Sequence, residues 1–503
     1  MTPIIEDPDA CYRAIASRDA RFDGRLFVGV RTTGIYCRPI CPARTPKREN
    51  VLFFASAAAA QGAGFRPCLR CRPESAPDCG AWRGASATVA RALRLIEAGA
   101  LDAADVEALA ARVGVGERQL RRLFREHLGA SPIAVAQTRR VLLAKQLIHQ
   151  TALPMTEVAL AAGFSSVRRF NETFQSLYDR PPVALRRSGT GVETRDGAWI
   201  ALTLPFRPPY DWEALIGFLG ARAIAGVESV GPRLYCRSIR LGGEFGLIRV
   251  APSAGDHLSV AIRFPHLSAL PAILARIRRI FDLSADPEAI AAHLGHDPDL
   301  APRLAARPGL RVPGAWDGFE LAIRAILGQQ ISVTAATGLA ARLVRDHGAP
   351  LPESLAGAAP GVTHVFPTAA ALARADLGSL PMPRARSSAL AALARAADDD
   401  AALFEPAATV EDAVRRLRAL PGIGEWTAQY IALRALREPD AFPAADIGLQ
   451  RSLADPAGVR PSTAALLARA EAWRPWRGYG ALHLWTTPNP LSGAAHDPPA
   501  TAA

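Results

Sequence analysis

The sequence predicts a multidomain α+β protein: a small metal-bound α/β domain, an all-α region, a second α+β region and an all-α C-terminal module. Three observations predict it. A chain of 503 residues exceeds what one hydrophobic core organises, so three or four domains are expected. Four of the seven cysteines fall in two close pairs, Cys37/Cys41 and Cys68/Cys71. Apolar spacing then changes along the chain, helical from about Ala85, strand-like from about Ala198 and helical again from about Pro313.

Composition narrows the class. With 49% hydrophobic and 21% charged residues, the chain can bury cores, and no apolar run reaches the length of a membrane span. Met1 to Ala20 is charged and lacks the apolar stretch of a secretion signal, so a cytoplasmic, nucleoid-associated protein with reduced thiols is expected. The net charge of +12 and pI near 9.9 point to a polyanionic partner, with nucleic acid first and no membrane.

The first domain, residues 1–80, reads as short strands (Leu26 to Val30, Val51 to Phe54) around the cysteines. Two short cysteine pairs separated by a foldable loop can bring four thiolates to the corners of a tetrahedron, the arrangement zinc takes. A domain this small commonly needs such a staple. Spacing alone leaves open whether the site is structural or reactive.

The segment Val28-Gly-Val-Arg-Thr-Thr-Gly-Ile-Tyr-Cys-Arg-Pro-Ile-Cys-Pro-Ala-Arg, with Phe65-Arg-Pro-Cys-Leu-Arg-Cys-Arg-Pro after it, resembles the N-terminal domain of the Ada family of DNA repair regulators. The resemblance implies one zinc on Cys37, Cys41, Cys68 and Cys71, and a single-turnover transfer of a methyl group from a DNA methylphosphotriester to Cys37. A zinc-bound thiol stays deprotonated at neutral pH and remains a nucleophile. Methylation removes one negative charge, worth about 1.4 kcal/mol per phosphate at about 6 Å and an effective dielectric of roughly 40, or about tenfold in affinity. Arg38, Arg44, Lys47, Arg66, Arg70 and Arg72 flank the ligands as candidate phosphate contacts.

Residues 85–187 carry two helix-turn-helix patterns, Val106 to Phe124 turning at Gly114 and Met155 to Phe174 turning at Gly163, joined by a helix over about Pro132 to His149. Leu109, Val113, Leu120, Leu123 and Phe124 are spaced to close a core, and Ser165 or Ser166 is the expected cap of the last helix. Ala162-Gly-Phe-Ser-Ser and Arg180-Pro-Pro resemble the DNA-binding domain of AraC-type activators. The resemblance implies two recognition helices in successive major grooves, with Arg118, Gln119, Arg121 and Arg122 on one and Ser166, Arg168, Arg169 and Asn171 on the other as contacts. It also implies double-stranded promoter DNA and RNA polymerase as partners of a monomeric activator.

After a linker from Ser188 to Gly197, residues 195–305 alternate strands and helices. Leu204-Pro-Phe-Arg-Pro-Pro-Tyr-Asp-Trp resembles the opening of AlkA-type 3-methyladenine DNA glycosylases, and no catalytic constellation is read in residues 198–300. In residues 310–487, Pro421-Gly-Ile-Gly424 precedes a helix expected over about Glu425 to Arg437. Glycines there let backbone N–H groups meet a phosphate.

With Asp446 following, the module resembles the helix-hairpin-helix glycosylase superfamily. The resemblance implies that Gly422 and Gly424 hold DNA, that Asp446 stabilises the oxocarbenium-like sugar, and that Trp426, Tyr430, Trp485 and Gln329 line the base pocket. Trp473 and Trp476 are expected in the core. Trp426 stands where strand-cleaving members carry lysine, so base excision without strand cleavage is expected. The module has no cysteine for an iron-sulfur cluster, and no Pro-Cys-His-Arg methyltransferase motif is present. Residues 488–503 read as a disordered tail. The rival reading is a regulator that uses its zinc and glycosylase-like modules only to bind DNA.

Overall fold

A computed structural model describes residues 7–77, 87–186, 199–405, 407 and 409–486. The linker and the tail expected from the sequence lie outside the described residues. Two units divide the chain: residues up to 206 with 253–275 and 283–285, and residues 207–252 with 276–282 and those from 286 on. No described helix is long and apolar enough to cross a membrane.

The first unit opens with α1 (Pro8–Ala16), capped by the Asp7 carboxylate, which accepts from the Asp9 and Ala10 N–H groups. β1 (Phe27–Val30), β2 (Ile35–Cys37) and β3 (Val51–Phe54) follow, then α2 (Ala57–Gly62) and β4 (Arg66–Pro67), in a sheet ordered β3-β1-β2-β4. β1 is antiparallel to both neighbours, with Val28 opposite Cys37 and Phe53. The apolar clusters on this sheet are small: Cys11, Ala14, Ile15, Leu26, Val28 and Val51 in one, Phe27, Tyr36, Ala60 and Phe65 in the other. So little core is consistent with a domain that a metal staples.

Seven helices make the next region: α3 (Ala87–Glu97), α4 (Ala100–Ala103), α5 (Val106–Arg112), α6 (Glu117–Leu128), α7 (Pro132–Gln150), α8 (Met155–Ala162) and α9 (Val167–Tyr178). Leu109, Val113, Leu120 and Phe124 are buried together, with Leu123 partly covered, as their spacing predicts. Ser166 caps α9, its hydroxyl accepting from Arg169 N–H. Gly163 turns at φ +89°, and a Cβ there would lie 2.4 Å from Asp102 Oδ2. That carboxylate is the anchor for Arg139 and Arg140 of α7, at 2.5 and 2.8 Å.

The later strands are β5 (Ile200–Pro205), β6 (Glu228–Gly231), β7 (Leu234–Leu241), β8 (Glu244–Pro252) and β9 (His257–Arg263). In the first unit β5 pairs antiparallel with β9, Leu202 opposite Val260. Thr203 of β5 bonds through its main chain to side-chain amides of α7: its O accepts from Gln146 Nε2 at 2.9 Å and its N–H donates to Gln150 Oε1 at 3.0 Å. Those amides satisfy strand groups that a neighbouring strand would otherwise take.

In the second unit, β6, β7 and β8 form an antiparallel meander. The chain's later helices are α10 (Trp212–Ala221), α11 (Leu270–Ile280), α12 (Pro287–Leu294), α13 (Leu300–Ala306), α14 (Gly318–Leu327), α15 (Val333–His347), α16 (Ala369–Arg374), α17 (Arg384–Asp399), α18 (Val410–Arg418), α19 (Glu425–Arg434), α20 (Ile447–Ser452), α21 (Thr463–Ala470) and α22 (Arg477–Thr486). α19 stops at Arg434, three residues short of the expected end, because the chain turns through Arg437 at φ +59°. That turn delivers the Arg437 guanidinium to buried Asp282 and to the Val312 carbonyl. Trp473 is buried, its indole N–H on Asp297 Oδ2 at 2.9 Å.

Candidate functional site

Among the described residues, two clusters gather the sequence-predicted site side chains, one in each unit. In the first, the sulfurs of Cys37, Cys41, Cys68 and Cys71 lie within 4.8 Å of one another. β2 ends on Cys37, and the Cys68 N–H donates to Tyr36 O at 3.0 Å, so the sheet itself brings the two pairs together. Backbone N–H groups also point at sulfur, Arg38 N–H to Cys71 Sγ at 3.3 Å and Arg70 N–H to Cys68 Sγ at 3.4 Å.

The donor set fits zinc. Sulfurs about 2.3 Å from a common centre sit about 3.8 Å apart at tetrahedral corners, inside the observed spread. Hydrogen bonding with Cys41 and the other two thiols pushes Cys37 up, while hydrogen bonding with Cys37 pulls Cys68 down. Four soft sulfur donors this close are the set that zinc takes in a closed tetrahedral site.

Arg38 faces inward. Its guanidinium pairs with Asp23 and donates to Cys71 O at 3.2 Å and Ser75 Oγ at 2.7 Å, leaving its side chain 11% exposed. Arg44, Lys47 and Arg70 are exposed beside the cysteines. On the helix-turn-helix pair, Arg118, Gln119 and Arg122 of α6 and Ser166, Arg168, Arg169 and Asn171 at α9 are all exposed. Arg121 pairs with Glu117, and Arg168 with Glu172 at 2.7 Å.

In the second unit, the buried Asp446 caps α20 and collects three donors. Oδ2 accepts from Trp426 Nε1 at 2.7 Å, and Oδ1 accepts from Trp485 Nε1 at 3.0 Å and Leu449 N at 2.8 Å. Two indoles thus hold one carboxylate. Gly448 leaves room for this: a Cβ there would lie 2.9 Å from Asp446 Oδ1 and 3.7 Å from Trp485 Cδ1.

The hairpin Pro421 to Gly424 runs between α18 and α19. Gly422 has φ +79°, and a Cβ on it would meet Ala389 Cβ at 2.4 Å, whereas a Cβ on Gly424 would meet nothing. The first glycine serves the fold; the second keeps an exposed surface free of side chain. Gln329 braces the hairpin, its amide donating to Gly422 O at 2.9 Å and Thr427 Oγ1 at 3.2 Å.

A pocket opens beside Trp426 and Tyr430, whose rings stack at 5.0 Å and 13°. Its wall includes Arg222, Glu228, Glu320, Arg324 and Arg434. Burial opposes ionisation of Glu228, but Arg324 and Arg237 outweigh it and hold the carboxyl at about 2. Burial pushes Tyr430 up, and Arg434 and Arg222 more than offset it, so its phenol sits below its ordinary value.

No catalytic constellation is read in residues 198–300, and from that stretch the pocket wall draws Leu219, Arg222, Glu228, Tyr235 and Arg237, with Phe218 of α10 beside Arg222. Arg222 lies over its ring at 3.9 Å and Arg434 at 4.7 Å, while Arg434 also covers Tyr430 at 5.1 Å. The spacing of Phe218 and Arg222, one helical turn apart, was the available signal.

Comparison with known proteins accords with this geometry. Residues 10–74 match the metal binding domain of Ada, residues 109–188 a helix-turn-helix domain and residues 201–317 the AlkA N-terminal domain. A Mycobacterium tuberculosis protein described as "Probable bifunctional transcriptional activator/DNA repair enzyme AlkA" is 44% identical over 96% of this chain and 97% of its own. DNA-3-methyladenine glycosylase 2 of Escherichia coli is 39% identical, covering 57% of this chain and 96% of that protein. The bifunctional transcriptional activator/DNA repair enzyme Ada of Escherichia coli is 38% identical over 33% of this chain and 46% of its own.

Proposed function

We propose the following activity for this chain, which belongs to the family of bifunctional transcriptional activator/DNA repair enzymes that join an Ada-type regulator to an AlkA-type glycosylase. It takes methyl groups from DNA methylphosphotriesters onto Cys37, activates transcription in that state, and excises alkylated purines such as 3-methyladenine. The observation that supports the reading is the grouping of side chains in each half, four sulfurs within 4.8 Å in one and a carboxylate held by two indoles in the other.

Zinc bound by Cys37, Cys41, Cys68 and Cys71 would keep those sulfurs ionised at neutral pH. Cys37 Sγ attacks the methyl carbon in line; the S–C bond forms as the C–O bond breaks, and the electron pair leaves on the phosphate oxygen. The thioether product has no simple route back, so each molecule reacts once. Its surface has one less negative charge facing DNA, and affinity rises.

In the glycosylase half, the flipped nucleotide places its sugar near Asp446. The N-glycosidic bond breaks with its electrons moving to the alkylated base, whose positive charge makes it a good leaving group; water then adds its oxygen to the sugar carbon and releases a proton to solvent. The Asp446 carboxylate stabilises the cationic sugar. Trp426 and Trp485 hold that carboxylate's orientation while Trp426 and Tyr430, in the adjoining pocket wall, offer aromatic surface to a cationic base. With tryptophan at 426, no amine attacks the sugar and the strand is left intact.

Gly422 and Gly424 form the phosphate-facing hairpin, which Gln329 braces, and the exposed side chains of α6 and α9 contact promoter DNA. Domain limits of 1–80, 85–187, 195–305 and 310–487 accompany this reading. So do action as a cytoplasmic monomer and recruitment of RNA polymerase. Incubation with methylated duplex tests it: free 3-methyladenine should appear and the strand stay whole. Absence of release from folded, DNA-binding protein would leave a regulator whose glycosylase fold only binds DNA.

A further inference from the structure

α7 joins the two helix-turn-helix elements, and its Lys145 points away from solvent. The side chain is 0% exposed. A lysine buried without partners is strongly unfavourable, and Lys145 has two: Nζ donates to Cys68 O at 2.9 Å and to Glu74 Oε2 at 2.7 Å. Glu74, itself 2% exposed, follows Cys71 by three residues and uses its other oxygen on Arg72 Nε at 3.3 Å. A cation of the DNA-binding helices is therefore fixed to the main chain of one cysteine of the metal centre and to the loop carrying another.

The same place touches the final recognition helix. Tyr178 ends α9, and the Tyr178 and Tyr36 hydroxyls are buried with no hydrogen-bond partner. Each lies within electrostatic reach of Glu74, Tyr36 also of Tyr178 and Cys71, and Tyr178 also of Cys68. Tyr36 precedes Cys37 and accepts the Cys68 N–H on its carbonyl. Cys37, Tyr36, Cys68 and Lys145 thus form a continuous covalent and hydrogen-bonded path from the methyl acceptor to α7, and the Tyr178 end of α9 lies within electrostatic reach of it.

We propose that Lys145 is a positioning residue that carries the methylation state of Cys37 to the second helix-turn-helix. The proposal rests on the reading that Cys37 accepts a methyl group. Conversion of that thiolate to a thioether removes one negative charge from the sulfur cluster. The lysine is then drawn less toward the Cys68 side and more toward Glu74, and α7 and α9 reseat with it. Direct repulsion between cluster and DNA acts in parallel but needs no residue on α7.

Full-length wild type, Lys145→Met and Glu74→Gln test this. Each is assayed for bound zinc, for methyl on Cys37 by mass spectrometry after exposure to methylphosphotriester DNA, and for affinity to promoter duplex before and after methylation. The expected result is that variants retain zinc and accept the methyl, while the ratio of methylated to unmethylated promoter affinity falls at least threefold below wild type. Should Lys145→Met lose zinc or fail to fold, Glu74→Gln decides, since it keeps the lysine and removes the carboxylate charge that Lys145 shares with Arg72. Variants that switch as strongly as wild type would overturn the role of Lys145 alone. A wild type that never gains methyl on Cys37 would overturn the underlying reading instead.

Discussion

Replacing Asp446 with asparagine separates chemistry from architecture in the glycosylase half. Asparagine caps helices as well as aspartate, so Oδ1 can keep the Leu449 N–H and Trp485 Nε1–H hydrogen bonds. The other side changes sign. An amide nitrogen would replace Oδ2, which now accepts from Trp426 Nε1 at 2.7 Å, and two donors would face each other. One unmet buried donor costs about 1–3 kcal/mol, enough to displace the indole but not to unfold the unit.

The larger loss is the charge. A carboxylate about 4 Å from a cationic sugar, at an effective dielectric of about 20, contributes about 4 kcal/mol, or roughly a thousandfold in rate. Single-turnover release of 3-methyladenine from methylated duplex reads it, with gel-shift affinity and melting temperature as controls. Release by folded Asp446→Asn at more than a tenth of the wild-type rate would refute the electrostatic role. Trp426→Phe, which keeps a ring and removes the indole donor, should lose less, about tenfold, for one hydrogen bond to a charged group.

The hairpin glycines should behave differently. Gly422→Ala, forced into Ala389 at φ +79°, should lower stability by about 1–3 kcal/mol in denaturant unfolding, whereas Gly424→Ala, with open space around it, should fold normally and weaken duplex binding. Gly448→Ala would put a methyl 2.9 Å from Asp446 Oδ1; base release should fall at least tenfold while helix-turn-helix binding to promoter DNA is untouched. Burial holds the His483 imidazole down at about 4, so the unfolded chain takes up its proton first. Stability from this group is full above about pH 6.5, is lost as pH falls through about 4, and totals about 3 kcal/mol; denaturation of His483→Gln should show a flatter pH profile than wild type over that window.

Much of this was legible from residues that are constrained locally. The cysteine spacing fixes a metal centre because four soft donors in two pairs have few other uses, and the structure brings all four sulfurs together. Gly163, Ser166 and the apolar spacing of α5 and α6 announce the helix-turn-helix pair, since caps and turns act within a few residues. What stayed hidden depends on long-range contact. Phe218 and Arg222 lie far along the sequence from Tyr430 and look like an ordinary helix face until the second unit folds around them. Arg38 reads as a phosphate contact by its position and turns inward because Asp23 lies beneath it. Lys145 looks like a solvated helix lysine, and only the packing of α7 on the cysteine loop shows that it is buried.

The central claim is that Cys37 reacts once with methylated phosphate and that this reaction changes DNA binding. Peptide-level mass spectrometry of the zinc-loaded protein after incubation with methylphosphotriester DNA, read beside promoter affinity on the same sample, tests it most directly. The account predicts one methyl group on Cys37, none on Cys41, Cys68 or Cys71, and promoter affinity raised about tenfold or more. A methyl group on Cys41, no methyl on any cysteine, or methylation of Cys37 with unchanged promoter affinity would contradict it.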